Sequence, residues 1–173
     1  MEYVLEACVD SVESAIAAQQ GGAKRVELCG NLIIGGTSPG KALFQAVRKY
    51  TDLEIRVLLR PRFGDFCYDE YEFGIMKEDV QMYRELGADG IVTGILLPDG
   101  RLDSVRMGEL IREAGNADVA LHRAFDVCSD PYETLEGAVD LGIRTILTSG
   151  QKNSAWEGRE LLRELVRRSD GRI

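Results

Sequence analysis

Glu85-Leu86-Gly87-Ala88-Asp89-Gly90-Ile91-Val92-Thr93 returns further along the chain in nearly the same form, as Asp140-Leu141-Gly142-Ile143-Arg144-Thr145-Ile146-Leu147-Thr148. In each copy an amphipathic stretch ends on an acidic residue and a Leu. A Gly then stands where a left-handed residue stops a helix, and a β-branched run follows. Helix, glycine stop, strand is the unit of a βα protein. Gly21-Gly22 repeats the stop before Arg25 to Cys29.

The rest of the chain falls in with that unit. Strand-like runs cover Tyr3 to Cys8, Arg25 to Cys29, Glu54 to Arg60, Gly90 to Thr93, Val119 to Arg123 and Thr145 to Thr148. Helix-like stretches cover Ser11 to Gln20, Lys41 to Tyr50, Tyr71 to Leu86, Asp103 to Ala114, Pro131 to Leu141 and Ala155 to Arg168. Asp10 or Ser11 can cap the first helix, and Asp130-Pro131 supplies a cap followed by a residue pre-set for the first helical position. Strict alternation implies parallel strands joined by right-handed crossovers, with helices covering the sheet. Two architectures satisfy it, a doubly wound open sheet and a (β/α) barrel. The first strand runs into Cys8-Val9-Asp10-Ser11 rather than a glycine-rich turn, which speaks against a dinucleotide-binding sheet.

Composition narrows the function classes. The 173 residues carry 21 Lys+Arg against 29 Asp+Glu, a net charge of -8, and the basic residues are scattered. Nucleic acids and anionic membranes are held by clustered Lys and Arg, so neither is an expected partner. No apolar run approaches the roughly 20 residues that span a bilayer, and Met1-Glu2-Tyr3 opens without a basic leader. A cytoplasmic location is the expectation. Four cysteines, Cys8, Cys29, Cys67 and Cys128, are few for a disulfide scaffold and would be free thiols in a reducing compartment.

In either architecture the chemistry gathers at the C-terminal ends of the strands, where side chains converge on one mouth. The first two runs close alike, Glu6-Ala7-Cys8 and Glu27-Leu28-Cys29. Residues two apart share a face of a strand, so each Glu points the same way as its Cys. Neighbouring strands in matching register would bring the two thiols within reach of one ion. Soft thiolates suit Cu(I), and Cys67 or Cys128 is the candidate for a third ligand. Free cysteine is also at home in an apolar core.

The third run ends in Arg60-Pro61-Arg62, a donor fork for a carboxylate or phosphate, or else the partner of Glu6 or Glu27. An aromatic loop with Asp65 follows as a rim. His122, the only His, stands beside Arg123 and Asp126 beyond the apolar Val119-Ala120-Leu121. It is a candidate general base or metal ligand, oriented by Asp126 or a Glu. Thr93-Gly94 and Thr148-Ser149-Gly150 place small hydroxyl and glycine positions at two further ends. So many ionisable groups around one mouth are costly for a core unless they pair with one another.

The same blocks resemble a known family. Leu5-Glu6-Ala7-Cys8-Val9-Asp10-Ser11, Gly21-Gly22-Ala23 with Arg25-Val26-Glu27-Leu28-Cys29, Arg60-Pro61-Arg62 with Gly64-Asp65-Phe66-Cys67-Tyr68, Asp89 to Leu96, His122-Arg123-Ala124-Phe125-Asp126 and Ile146 to Gly150 are similar, in order, to the CutC copper homeostasis proteins. The resemblance covers nearly the whole chain. It implies a TIM-type (β/α) barrel, a cytoplasmic protein tied to copper handling, and Cys8 and Cys29 as copper(I) ligands. About six βα units are present, with the start of a seventh strand at Gly171-Arg172-Ile173, against the ~250 residues of a typical full barrel. A single domain over residues 1–173, truncated at its C-terminus relative to the family, is therefore expected.

Two functions follow. One is cytoplasmic Cu(I) binding through the thiolates at the barrel mouth. The other is an enzyme acting on a small anionic metabolite, phosphorylated or carboxylated. Its catalytic candidates are Glu6, Glu27, Arg60, His122 and Asp126, and its substrate-binding candidates are Arg62, Asp65, Thr93, Arg123, Thr148 and Ser149. The expected partner is thus a copper ion or a small anion, and self-association into a homo-oligomer stays open.

Overall fold

Helix stops and caps set the elements of the chain, seen in a computed structural model that describes residues 4–173. The strands are β1 Glu6–Val9, β2 Arg25–Leu28, β3 Glu54–Leu58, β4 Gly90–Thr93, β5 Asp118–Leu121 and β6 Thr145–Ile146. The helices are α1 Val12–Gln20, α2 Lys41–Tyr50, α3 Glu70–Glu85, α4 Ser104–Ala114, α5 Pro131–Asp140 and α6 Arg159–Ser169, with 3-10 turns at Leu32–Ile34 and Arg123–Val127. Tyr3, expected in the first strand, lies outside the described residues.

Ser11 caps α1 in a reciprocal box with Ser14, and Asp130 caps α5 with Pro131 in its first turn. Gly87 and Gly142 follow α3 and α5 with φ of 79° and 76°, the left-handed geometry that ends a helix at no steric cost to a residue lacking Cβ. α6 begins at Arg159, later than the expected Ala155. A Cβ on Gly158 would stand 1.9 Å from the Ser149 carbonyl oxygen, so this backbone crossing holds residues 151–158 as turns before the helix can start.

All six strands are parallel and pair in sequence order, β1 through β6. A doubly wound sheet would reverse its order at a switch point, so sequential pairing decides for the barrel. The sheet is curled, because one cavity is lined both by Glu6 and Cys8 on β1 and by Thr145 and Ile146 on β6. Six βα units thus make an open, incomplete TIM-type barrel.

Strand alternation divides the side chains between two layers. Val26, Leu28, Ile55, Val57, Leu59, Ile91 and Leu121 point outward into the main core, against Phe44, Met76, Tyr83, Met107 and Leu110 of the helices. Cys29, Leu58, Val92 and Ala120 form a separate small cluster on the concave side, with Leu32 packed on it. This thin lining is where the barrel interior opens. None of the helices among the described residues is long and apolar enough to cross a membrane.

Candidate functional site

The strands end earlier than their apolar runs, but their ladders continue one residue further. Cys29 N–H donates to Val9 O at 2.9 Å, Leu59 N–H to Val92 O at 2.8 Å, His122 N–H to Thr93 O at 2.9 Å and Leu147 N–H to Leu121 O at 2.8 Å. These rungs carry Cys29, Arg60, His122 and Leu147 to the barrel mouth. A cavity of about 180 Å³ lies there, lined by Cys8, Glu27, Cys29, Leu32, Leu58, Arg60, Phe66, His122, Arg123 and Leu147. A second, of about 170 Å³, adjoins it lower in the barrel and shares Cys8, Glu27 and Leu147.

The two Glu-x-Cys endings do not stand level, as matching register would require. Cys8 is the Cα partner of Glu27, which leaves Cys29 two residues further toward the mouth. From strand spacing and rise their Cα atoms lie about 8 Å apart, beyond disulfide reach, and both are free thiols opening onto the same cavity. Cys8 is exposed and Cys29 buried, its Sγ 3.6 Å from Glu27 Oε1. Although Cys8 keeps contact with solvent, the barrel wall around it partly desolvates the thiol and, with the nearby Glu27 and Glu6 carboxylates, pushes it up to about 11, and burial and Glu27 likewise raise Cys29.

Neither Cys67 nor Cys128, the candidates for a third ligand, lines this cavity. They pack with Leu96 and Ala124 in another cluster, and Gln151 Nε2 donates to Cys128 Sγ at 3.5 Å. No group of three or more His, Cys, Asp or Glu that could hold a metal ion occurs among the described residues. A soft two-thiol pair fits Cu(I), whereas zinc calls for about four ligands.

Glu6 opens its strand rather than closing it, at the bottom of the lower cavity. It accepts from Arg25 Nε at 2.5 Å and stands 3.9 Å from Arg56 Nη1, and Arg56 also pairs with Asp118. Arg56 is a member of this cluster that the sequence reading passed over. The alternation Arg56, Leu58, Arg60 along one strand face is the signal that points to it. Glu27 is 8% exposed, and burial first, then Glu6, raise its carboxyl to about 7 against the opposing effects of Cys29 and Arg56.

Arg60 pairs with neither Glu. Its Nη1 donates to Gly36 O at 3.0 Å and Gly35 O at 3.3 Å, and its Nη2 to Gly64 O at 2.9 Å. The Phe66 ring lies between it and His122, 4.9 Å from the guanidinium carbon and 4.7 Å from the imidazole centre. Gly94 leaves room for the imidazole, since a Cβ there would stand 2.7 Å from His122 Nδ1 and Cε1. Phe66 and Gly94 belong to the site by packing alone.

His122 is not oriented by Asp126. Its Nδ1 accepts from Ala124 N–H at 3.2 Å, which places the ring hydrogen on Nε2. Burial, reinforced by the Arg60 charge, pushes its pKa down to about 3, so the imidazole is neutral at physiological pH. Asp126 instead staples the loop after β6. It accepts from Thr148 Oγ1 at 2.6 Å, Ser149 N–H at 3.1 Å, Gln151 N–H at 3.0 Å and Arg123 Nε at 2.7 Å. These bonds outweigh burial and hold its carboxyl below the ordinary range. Thr148, Ser149 and most of Arg123 are consumed in that staple.

The remaining rim candidates are also committed. Arg62 pairs with Glu72 at 2.5 Å and with Asp65 at 3.0 Å, and Asp65 further accepts from Cys67 N–H at 3.0 Å. Thr93 is fully buried, with its hydroxyl donating to Leu59 O at 3.2 Å. The structure therefore brings together Cys8, Cys29, Glu27, Arg60 and His122 at one cavity, with Glu6 below it. Arg62, Asp65, Thr93 and Asp126 hold loops and strands.

Comparisons with known proteins agree with this architecture. The family model described as CutC family matches residues 3–173. The family protein CutC of Histophilus somni is 43% identical over 169 residues, 98% of this chain and 70% of that protein. Its counterpart in Bacteroides fragilis strain YCH46 is 47% identical over 172 residues, 99% of this chain and 68% of that protein. A solved structure from Streptococcus agalactiae, described as a copper homeostasis protein CutC, superposes with a TM-score of 0.92 at 30% identity, covering 99% of this chain and 85% of that one.

Proposed function

The chain belongs to the CutC family, and from that premise we propose that it is a copper homeostasis protein that takes up Cu(I) as cargo between Cys8 and Cys29. The observation that carries the proposal is the opening of two free thiols from adjacent strands onto one cavity. Cytoplasmic work suits that chemistry, since a reducing compartment keeps thiols free.

The chain's own part is to present the soft donors and to manage their protons. Both thiols are protonated at neutral pH, so uptake of the ion displaces protons from them and affinity rises with pH. Glu27 stands beside both thiols and, with its carboxyl near 7, can receive a proton leaving Cys29 Sγ. Leu32, Leu58 and Leu147 wall the cavity on its apolar sides.

Anaerobic Cu(I) titration against a chromophoric chelator tests this. One equivalent should be held by the wild-type chain and by a Cys67→Ser/Cys128→Ser variant, and the affinity should fall at least tenfold in Cys8→Ser/Cys29→Ser. Unchanged affinity in the latter variant would remove the thiol pair from the assignment.

A further inference from the structure

A buried cation without a counter-ion stands at the end of β3, beside the strand that carries Cys29. Arg60 is 8% exposed, its Nη groups meet only backbone carbonyls, and no carboxylate lies within ion-pair distance of it among the described residues. Arg56, as deeply buried two steps of the strand alternation below, is paired with Glu6 and Asp118. Removing a charge from water is costly unless an opposite charge meets it, so the contrast between the two arginines calls for an anion at Arg60.

The unpartnered donors say where that anion would sit. Arg60 Nε, His122 Nε2 and the Tyr68 hydroxyl are all buried with no hydrogen-bond partner, and of the three residues Arg60 and His122 line the cavity. His122 is 4% exposed, and its Nδ1 is occupied by Ala124 N–H, so Nε2 carries a hydrogen with nothing to receive it. Buried donors in folded proteins are nearly always satisfied, and two orphans lining one cavity mark a place for an absent acceptor. Phe66 packs against both groups and offers an apolar face beside them.

We propose that this wall binds a small monocarboxylate, whose oxygens accept from Arg60 Nε–H and His122 Nε2–H while its apolar part lies in the cavity lined by Phe66, Leu58 and Leu147. Charge selects a carboxylate over a phosphate. With the imidazole neutral and Arg123 paired to Asp126, Arg60 is the one positive charge lining this cavity without a carboxylate partner, and Glu27 lines the same cavity, so a monoanion matches it better than a dianion. The volume of about 180 Å³ admits a small molecule of this kind. The site stands on different residues from the thiol pair, and either can fail without the other.

Because His122 is the only histidine, a chain labelled with ¹⁵N-histidine reports the site through one imidazole. Sodium pyruvate and sodium isobutyrate are the probes, with isobutyramide and inorganic phosphate as controls at matched ionic strength. One of the two carboxylates should shift the Nε2 resonance saturably in the millimolar range. That affinity should be unchanged in Cys8→Ser/Cys29→Ser and at least tenfold weaker in Arg60→Met, which removes a charge-assisted hydrogen bond. Should Arg60→Met fail to fold, Phe66→Ala supplies the second variant, with weaker binding expected from its lost apolar face. No saturable shift with either carboxylate up to tens of millimolar, an equal shift from isobutyramide or phosphate, or full affinity in the variant that folds would each overturn the proposal.

Discussion

Replacing Glu27 by Gln should stabilise the protein by about 3 kcal/mol at pH 8 and change little at pH 4. The magnitude follows from burial. Glu27 is 8% exposed, and its carboxyl titrates at about 7 in the folded chain against an ordinary value of 4.5. A folded-state pKa above the unfolded one means that folding favours the protonated form. The contribution is fully present below about 4.5 and is lost as pH rises through about 7. The difference of roughly 2.5 units, at about 1.36 kcal/mol per unit, amounts to ~3 kcal/mol of stability that wild type gives up across that window. Gln is neutral at every pH, has the same shape, and keeps an oxygen for the Cys29 thiol. Its stability should therefore lack this decline. Urea unfolding of both proteins at half-unit steps from pH 4 to pH 8 isolates the difference, because every other titrating group is shared. A difference that stays flat with pH, or a Gln variant less stable than wild type at pH 8, would refute the assignment of a strained, buried carboxylate at this position. A residue that lowers stability at the wall of a cavity is what a functional site is expected to contain.

Two further outcomes are expected. Gly94→Ala places a Cβ within 2.7 Å of the His122 ring and 2.9 Å of Leu121 Cδ1, so it should cost about 1–3 kcal/mol in urea unfolding and move the His122 imidazole resonances; unchanged stability with an unmoved imidazole would show that the ring is not confined there. Cys8, though exposed, should react with an aromatic disulfide at pH 8 about tenfold more slowly in the folded chain than in urea. Raising its thiol from 9.0 to about 11 cuts the thiolate fraction roughly a hundredfold, and the higher nucleophilicity restores about a factor of ten. Equal rates in the two states would contradict the desolvation and acidic neighbours assigned to it.

The local syntax was legible because it rests on short-range physics. Gly87 and Gly142 end their helices by left-handed geometry, and Ser11 and Asp130 satisfy the first backbone donors of theirs, wherever those segments sit in space. The residues beyond the strand ends could be picked out because a change from apolar to polar along one chain needs no partner. Their roles were less visible. Asp126 sits next in space to residues 148–151, far along the chain, so hydrogen bonds from four long-range donors decided that it staples a loop rather than orients His122. The late start of α6 likewise depends on the crossing of Gly158 over Ser149, which no local propensity announces.

By itself the sequence determined six repeated βα units and a set of ionisable and thiol groups at strand ends, since period, caps and glycine stops are properties of neighbours along the chain. Only the tertiary structure decided the order of the strands, the two-residue offset between Cys8 and Cys29, and which charges are neutralised. Register and curl bring Arg56 to Glu6 and Asp118 but leave Arg60 among carbonyls, and pairing of that kind depends on lateral distances that a sequence does not contain.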